Sequence, residues 1–137
     1  MSVYALDSNI ISFYLRGNTN VIENIEKAIN DEHSIIIPPI VYYEVKRGLL
    51  LIDASNQLRK LERFCDLFSV GELDNYLIEE SINIYIQERK AKRNTEDADI
   101  FVAAFCIHNE YILVTDNMRD FQNISNLNVV NWALAQE

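Results

Sequence analysis

The sequence predicts an α/β protein, a three-layer α/β/α sandwich with a central parallel sheet. Two observations favour this class. Short apolar runs of strand length alternate along the chain with segments of helical periodicity. The runs SIII (34–37) and YILV (111–114) are almost continuously apolar and rich in β-branched residues. Runs of this kind are typical of strands in parallel sheets, which helices cover on both faces.

The first half of the chain predicts two strands and four helices. The strands are VYAL (3–6) and SIII, and the Pro38-Pro39 pair ends the second strand and suits the first turn of a helix. Asp7 or Ser8 is a suitable N-cap for the first helix. The helices are predicted from this cap to about Arg16, from Asn20 to about Asn30, from the proline pair past Leu49, and from Ala54 to Leu67.

The second half predicts three further strands and two long helices. FSV (68–70) is a short strand, and Asp74 begins a helix that ends in the basic stretch RKAKR (89–93). Thr95 is the expected N-cap of a helix that runs to about His108. That helix is apolar on nearly every side, which indicates a central, buried position. YILV, a short strand near 128–130 and a terminal helical turn complete the prediction.

Length and composition favour an ordinary folded protein. The chain has 137 residues, 49% of them hydrophobic, which predicts one domain over 1–137 with a real core. The start lacks the features of a signal peptide, and no apolar run approaches the roughly 18 to 20 residues that span a membrane. Cys65 and Cys106 are not spaced as metal ligands and are expected to be reduced. We therefore expect a cytoplasmic protein.

The formal net charge of -9 argues against a protein that grips nucleic acid over its whole surface. It leaves two local possibilities open. RKAKR is a candidate basic patch, although the stretch alone favours a solvated helix end that complements the helix dipole. The acidic excess can also be concentrated in one electronegative pocket.

Four separate segments carry a carboxylate to the expected carboxyl edge of the sheet, where open α/β sheets bind ligands. Asp7 follows the first strand directly, and Glu44 lies early in the helix after SIII. Asp99 lies near the start of the apolar helix. Asp116 follows YILVT, and Asp120 is one helical turn further on.

Three of these five acids have a structural explanation when each is considered alone. Asp7 suits an N-cap, and the two late aspartates suit turns. Glu44 and Asp99 resist that explanation, because both interrupt apolar runs that should face the core. Carboxylates that lie close together need a positive partner, and Mg²⁺ prefers such oxygen ligands. The sequence has no Gly-rich phosphate loop, and neither cysteine has an obvious histidine partner. Metal-dependent phosphoryl chemistry is therefore the strongest enzymatic hypothesis.

Five stretches of the sequence resemble the motifs of PIN domains, specifically the VapC-type toxin ribonucleases of prokaryotic toxin–antitoxin pairs. They follow one another in the order of the family's motifs. YALDSNIIS resembles the opening motif, which carries Asp7. IPPIVYYEVKRGL is similar to the second, which carries Glu44. EDADIFVAAF resembles the third, with Asp99 as its acid. LVTDNMRDF is similar to the fourth, and NLNVVNW resembles the tail of the family.

The resemblance implies a PIN-like fold and an endoribonuclease that depends on Mg²⁺ or Mn²⁺. Asp7 and Asp99 are the implied metal ligands, and Glu44 and Asp120 complete the set of catalytic acids. Asp116 is the rival for the fourth position. The remaining supporting residues are Asn9, Thr115 and Asn117, the last of which stands where some relatives carry an aspartate.

The resemblance also implies partners. These are an RNA substrate, a small cognate antitoxin that holds the toxin inactive, and a second copy of the chain in a homodimer. The candidate RNA contacts are Lys46, Arg47, Arg89, Lys90, Lys92 and Arg93.

Two alternatives belong to another class of function. A receiver-like signalling module would need paired acids after the first strand and a late strand-end lysine, and both are absent. A catalytically silent PIN scaffold that acts through protein–protein contacts is disfavoured by the intact set of acids. An aspartyl phosphatase would need a second acid two residues after Asp7, where this chain has Asn9.

Overall fold

The computed structural model describes residues 1–135, and strands alternate with helices throughout this part of the chain. The strands are β1 (Val3–Leu6), β2 (Ser34–Ile37), β3 (Ser69–Val70), β4 (Ile112–Val114) and β5 (Val129–Val130). The helices are α1 (Ser8–Leu15), α2 (Thr19–Asn30), α3 (Pro39–Leu51), α4 (Ser55–Leu67), α5 (Asn75–Lys90), α6 (Asp97–Asn109) and α7 (Met118–Phe121).

The strands form one parallel sheet in the order β3-β2-β1-β4-β5. Val3 pairs with Ser34 on one side of β1, and Leu6 pairs with Val114 on the other. The chain moves outward from β1 to β3 and then returns past β1 to β4. The order therefore reverses between β1 and β4, which makes the carboxyl ends of these two strands the switch point where α/β sheets bind ligands.

Helices flank the sheet, which confirms the predicted α/β sandwich. Right-handed crossovers, the rule for parallel strands, place α1–α4 on one face and α5–α7 on the other. The contacts agree with this arrangement, since α1 packs on α2, α3 and α4, while α6 packs on α5 and α7. Contacts between α3 and α6 also bring the helix of Glu44 to the helix of Asp99.

The buried face of α6 explains its apolar sequence. Residues Val102 to Cys106 are all buried, and Ile100 is only 2% exposed. Phe105 also contacts the backbone of Gly71 so closely that a side chain there would meet its ring. Both cysteines are free thiols, and burial raises the pKa of each. No helix in the described part of the chain is long and apolar enough to cross a membrane.

Three details differ from the sequence prediction. Thr95 is not the N-cap of α6, because its hydroxyl donates a 2.7 Å hydrogen bond to Oε1 of Glu88, and Glu96 takes the cap position instead. Residues 132–134 form bends rather than a helical turn, and residues 136–137 lie outside the described part. The short helix α7 was not predicted.

Candidate active site

Asp7 lies at the switch point, directly after β1, and is only 5% exposed. As the N-cap of α1, it accepts a 2.8 Å hydrogen bond from the Ser8 amide at Oδ1. Its Oδ2 accepts a 2.8 Å bond from Thr115 Oγ1 and a longer one, 3.4 Å, from Asn9 Nδ2. Burial raises the pKa of Asp7, although these hydrogen bonds oppose the rise, and the charge of Asp120 adds to it.

A small polar network ties the segment after β1 to the segment after β4. Asn9 Nδ2 lies 3.3 Å from Thr115 Oγ1, and Asn9 Oδ1 accepts a 3.0 Å bond from the Asp116 amide. Thr115 Oγ1 also accepts a 3.0 Å bond from the Asn117 amide. The hydroxyl of this fully buried threonine therefore both donates and accepts. The network fixes Asp7 from both sides of the switch point.

Asp99 lies in the first turn of α6 and is half-buried. Burial is the largest cause that raises its pKa to about 7, and the next causes are four neighbouring negative charges. In decreasing order these charges belong to Asp7, Asp120, Glu96 and Glu44. The structure therefore gathers acids around Asp99 from three distant segments, those of Asp7, Glu44 and Asp120, and one more, Glu96, from the start of the same helix.

Glu44 joins this cluster from α3 and is also half-buried. Burial raises its pKa first, and the charge of Asp7 raises it further. The positive charge of Arg47 lowers this pKa, and the charge of Glu96 raises it. Glu96 thus contributes to the negative field around both Glu44 and Asp99.

The structure separates the two candidates for the fourth acid. Asp120, on α7, is exposed, and its charge raises the pKa of both Asp7 and Asp99. The carboxylate of Asp116 instead accepts a 3.0 Å hydrogen bond from Asn131 Nδ2 and is not among the charges that act on the other acids. Asp120 is therefore the late acid that lies with the cluster.

A cavity of about 390 Å³ opens beside the carboxylates. Asp99 and Asp120 line it, whereas Asp7 and Glu44 lie outside its lining. The other lining residues are Glu88, Arg93, Asn94, Thr95, Glu96, Arg119 and Asn123. Sequence reasoning did not single out Glu88, Asn94, Arg119 or Asn123. Arg119 lies inside the stretch LVTDNMRDF, but nothing in its residue type or position distinguishes it from a solvated surface arginine.

The six candidate RNA contacts lie in different environments. Arg93 lines the cavity, and the exposed Lys90 and Lys92 do not. Arg89 is committed to the backbone, since it donates to the carbonyl oxygens of residues 93 and 95. Lys46 donates a 2.9 Å hydrogen bond to the hydroxyl of Tyr42. The guanidinium of Arg47 stacks over the ring of residue 43, 4.8 Å from its centroid.

The donor chemistry of the cluster fits a hard divalent cation. Its donors are carboxylate oxygens, the ligands that Mg²⁺ and Mn²⁺ prefer. The raised pKa of Asp99 has a like-charge component that a cation would relieve. Within residues 1–135 no three Asp, Glu, His or Cys side chains are drawn together tightly enough to form a ready ligand set. Mg²⁺ needs only one or two protein carboxylates, because it keeps several waters.

The same fold occurs in solved toxin–antitoxin complexes. VapBC2 from Rickettsia felis, bound to a DNA fragment from its promoter, contains a chain with a TM-score of 0.88 and 21% identity, over 95% of this chain and 98% of that one. A chain in DNA-bound VapBC from Salmonella typhimurium has a TM-score of 0.86 and 19% identity, over 96% of this chain and 99% of that one. A chain in VapBC-1 from nontypeable Haemophilus influenzae has a TM-score of 0.82 and 20% identity, over 96% of this chain and 99% of that one.

At these identities the likeness shows the fold alone. A comparison with curated protein sequences finds no match. The family model of the PIN domain, however, matches residues 4–127, which include Asp7, Glu44, Asp99 and Asp120. The chain therefore belongs to the PIN domain family.

Proposed function

We propose that this protein is an endoribonuclease that depends on Mg²⁺ or Mn²⁺ and acts as the toxin of a VapBC-type toxin–antitoxin pair. The observation that carries the proposal is the electrostatic cluster around Asp99. Four segments of a PIN domain bring acids to one place at the switch point of the sheet, where the pKa of Asp99 rises to about 7. Carboxyl groups whose pKa is strongly perturbed by burial and by specific neighbouring charges cluster at functional sites.

Asp7 and Asp99 are the residues that would hold the cation directly, and Glu44 and Asp120 would complete its surroundings. A bound Mg²⁺ or Mn²⁺ supplies Lewis-acid activation of a water and neutralises charge that develops on a phosphodiester. The reaction adds this water to phosphorus and breaks the P–O3′ bond. It leaves a 5′-phosphate and a 3′-hydroxyl, which takes up a proton.

The side chains of this chain prepare the site for that reaction. Thr115, Asn9 and the Ser8 amide hold Asp7 in one orientation, so that no reorganisation is needed when a cation binds. Asp99 is fixed by the buried helix that follows it. The remaining acids, Glu44 and Asp120, keep the local field negative and favour a cation at this place.

The proposed partners follow from the family and the fold. Proteins of the same fold have been solved in VapBC complexes, some of them bound to DNA. We propose a small cognate antitoxin and a homodimer for this chain as well, and its RNA substrate would place its action in the cytoplasm. An antitoxin that sets a basic side chain among the carboxylates would block the cation and the substrate together.

The test is cleavage of total cellular RNA by the purified protein, with mapping of the product ends. We expect cleavage with Mg²⁺ or Mn²⁺, no cleavage after chelation, and recovery when the cation is returned. The products should carry 5′-phosphates and 3′-hydroxyls. Cleavage that persists in excess chelator, or products with 2′,3′-cyclic phosphates, would contradict the mechanism.

A further inference from the structure

Two arginines line the cavity beside the acids, and the proposed chemistry does not use them. Arg93 comes from the linker between α5 and α6, and Arg119 comes from α7. We propose that they form a phosphate-binding subsite, which holds the backbone of a single-stranded RNA next to the bond to be cleaved. The inference rests on the proposed function and assigns it a binding site for the substrate.

Glu88 holds Arg93 in place. This carboxylate is only 3% exposed, and its Oε2 accepts hydrogen bonds from Arg93 Nε at 3.0 Å and Nη2 at 2.6 Å. Its Oε1 accepts the 2.7 Å bond from Thr95. Glu88 therefore engages the Nε and Nη2 edge of the guanidinium and leaves Nη1 for a ligand. A guanidinium that is already ordered loses little entropy when it binds phosphate.

The backbone that carries Arg93 is fixed as well. The Arg93 amide donates a 2.9 Å hydrogen bond to the Glu88 carbonyl oxygen, and Lys92 adopts a left-handed conformation with φ of 61°. Arg89 closes the turn, because its Nη1 donates to the carbonyl oxygens of Arg93 at 2.9 Å and Thr95 at 3.2 Å. This wall of the cavity is therefore preorganised, and Glu88 is its positioning residue.

Arg119 supplies a second, exposed cation next to Asp120. The amides of Asn94 and Asn123 add neutral hydrogen-bond donors to the same lining. The lining of the cavity thus includes two arginines and two asparagines together with the acids Glu88, Glu96, Asp99 and Asp120. Guanidinium groups bind phosphate oxygens through paired hydrogen bonds, which makes arginine a preferred residue for this recognition.

The charge of the site explains why the subsite is needed. The acids repel every phosphate of an incoming strand, and a cation at Asp7 and Asp99 would compensate only the phosphate that it touches. Neighbouring phosphates require other positive groups within reach. Of the six basic residues predicted to contact RNA, only Arg93 lines the cavity, and Arg119 is the second cation there.

The test is equilibrium binding of a fluorescent single-stranded RNA of mixed sequence, in chelator and over a range of salt. All variants of the full chain also carry Asp99→Asn, which removes cleavage. Arg119→Gln and Arg93→Gln should each weaken binding roughly tenfold, the size expected for one charge-assisted contact. Each should also reduce the slope of log K against log salt by about 0.7.

Arg16→Gln is the matched control, since Arg16 is exposed, lies outside the cavity lining and stacks on Phe13. It should leave affinity and slope unchanged, and Arg119→Lys should restore the slope. Equal affinities and slopes for Arg119→Gln and Arg16→Gln would overturn the proposal. The proposal would also be overturned if Arg93→Gln and Arg119→Gln weakened binding of polyglutamate as much as binding of RNA. The two arginines would then attract anions in general.

Arg93→Gln disturbs a buried network, so its thermal unfolding must be measured beside its binding. The exposed Arg119 keeps the proposal testable if that variant is unstable. The outcomes also separate the two proposals. If the protein without substitutions cleaves no RNA with Mg²⁺ or Mn²⁺, the proposed function is wrong, whatever the arginines do. If it cleaves RNA but Arg119→Gln leaves affinity and slope unchanged, only the subsite is wrong.

Discussion

Thr115 donates a 2.8 Å hydrogen bond from Oγ1 to Oδ2 of Asp7, although 108 residues separate the two in the chain. The bond joins the first residues after β4 and β1, the two strands at the switch point. Both residues are buried, at 0% and 5% exposure. The sheet itself therefore sets the orientation of the carboxylate that we propose as a metal ligand.

Thr115→Val should weaken Mn²⁺ binding by roughly 10- to 100-fold, the usual effect of losing a residue that orients a ligand. The valine keeps the shape of the threonine but removes the donor to Asp7 and the acceptor for the Asn117 amide. Titration calorimetry with Mn²⁺ measures the change. Thr115→Ser retains the hydroxyl and should bind Mn²⁺ nearly as the unchanged protein does. Equal affinities for the valine and serine variants would show that the hydrogen bond is unimportant.

The metal-free protein should lose stability as the pH rises from 3.8 to about 7. The pKa of Asp99 is about 7 in the folded protein against 3.8 as the ordinary value, so the folded state binds this proton more tightly than the unfolded state. The stability that this proton contributes is complete below pH 3.8 and is lost as the pH passes about 7.

Asp99→Asn removes the contribution of this carboxyl to the pH dependence and should make the metal-free protein more stable than the unchanged protein above pH 7. Urea unfolding in chelator at pH 5 and pH 8 measures the difference. Asp97→Asn is the matched control, because Asp97 is an exposed acid in the same helical turn. An Asp99→Asn protein that is less stable at pH 8 than the unchanged protein would contradict the electrostatic account.

Mn²⁺ should raise the melting temperature of the protein, because it would bind the folded carboxylate cluster and not the unfolded chain. At a Mn²⁺ concentration 100 times the dissociation constant, the free energy of unfolding should increase by about 2.7 kcal/mol. Asp7→Asn should reduce the gain strongly, and Asp97→Asn should leave it unchanged. Scanning calorimetry with Mn²⁺ and with chelator provides the comparison. A similar gain in the Asp7→Asn protein would place the ion elsewhere.

Glu88→Ala should destabilise the fold, because it removes the partner of Arg93 and the acceptor for Thr95. We expect a loss of about 1 to 2 kcal/mol, less than for a fully buried pair, since the Arg93 side chain is 38% exposed and water screens its charge. Urea unfolding at neutral pH measures it. Glu80→Ala, at another position of α5, is the control and should change stability little. An equal loss of stability in both variants would contradict the proposal that the bonds of Glu88 to Arg93 and Thr95 stabilise the fold.

The sequence predicts the strands well because they are short, apolar and bounded by clear signals. SIII, for example, ends at Pro38 and matches β2 at both ends. The wrong N-cap at Thr95 shows the limit of local rules. Threonine is a good cap, but here a carboxylate from the preceding helix takes its hydroxyl. The four residues of α7 are too few for a periodic pattern, so this helix escaped prediction.

Some residues of the candidate site could be predicted from the sequence, and others could be identified only in the structure. Acids that interrupt apolar runs are conspicuous in a sequence, and Glu44 and Asp99 do lie in the cluster. The resemblance favours Asp120 over Asp116 as the fourth acid, and the structure separates them, because Asp120 acts on Asp7 and Asp99 whereas Asp116 is bonded to Asn131. Arg119 looks like any surface arginine until the cavity is seen.

The most direct test of the central claim is RNA cleavage by the protein with Asp99→Asn and by the protein with Asp97→Asn, in Mn²⁺ and at equal concentrations. The two substitutions remove one acid each from the same turn of α6, and only Asp99 lies among the charged neighbours described above. We predict that Asp97→Asn cleaves RNA at the rate of the unchanged protein and that Asp99→Asn cleaves none. Cleavage by Asp99→Asn at the rate of Asp97→Asn would contradict the proposal that this carboxylate cluster is the active site.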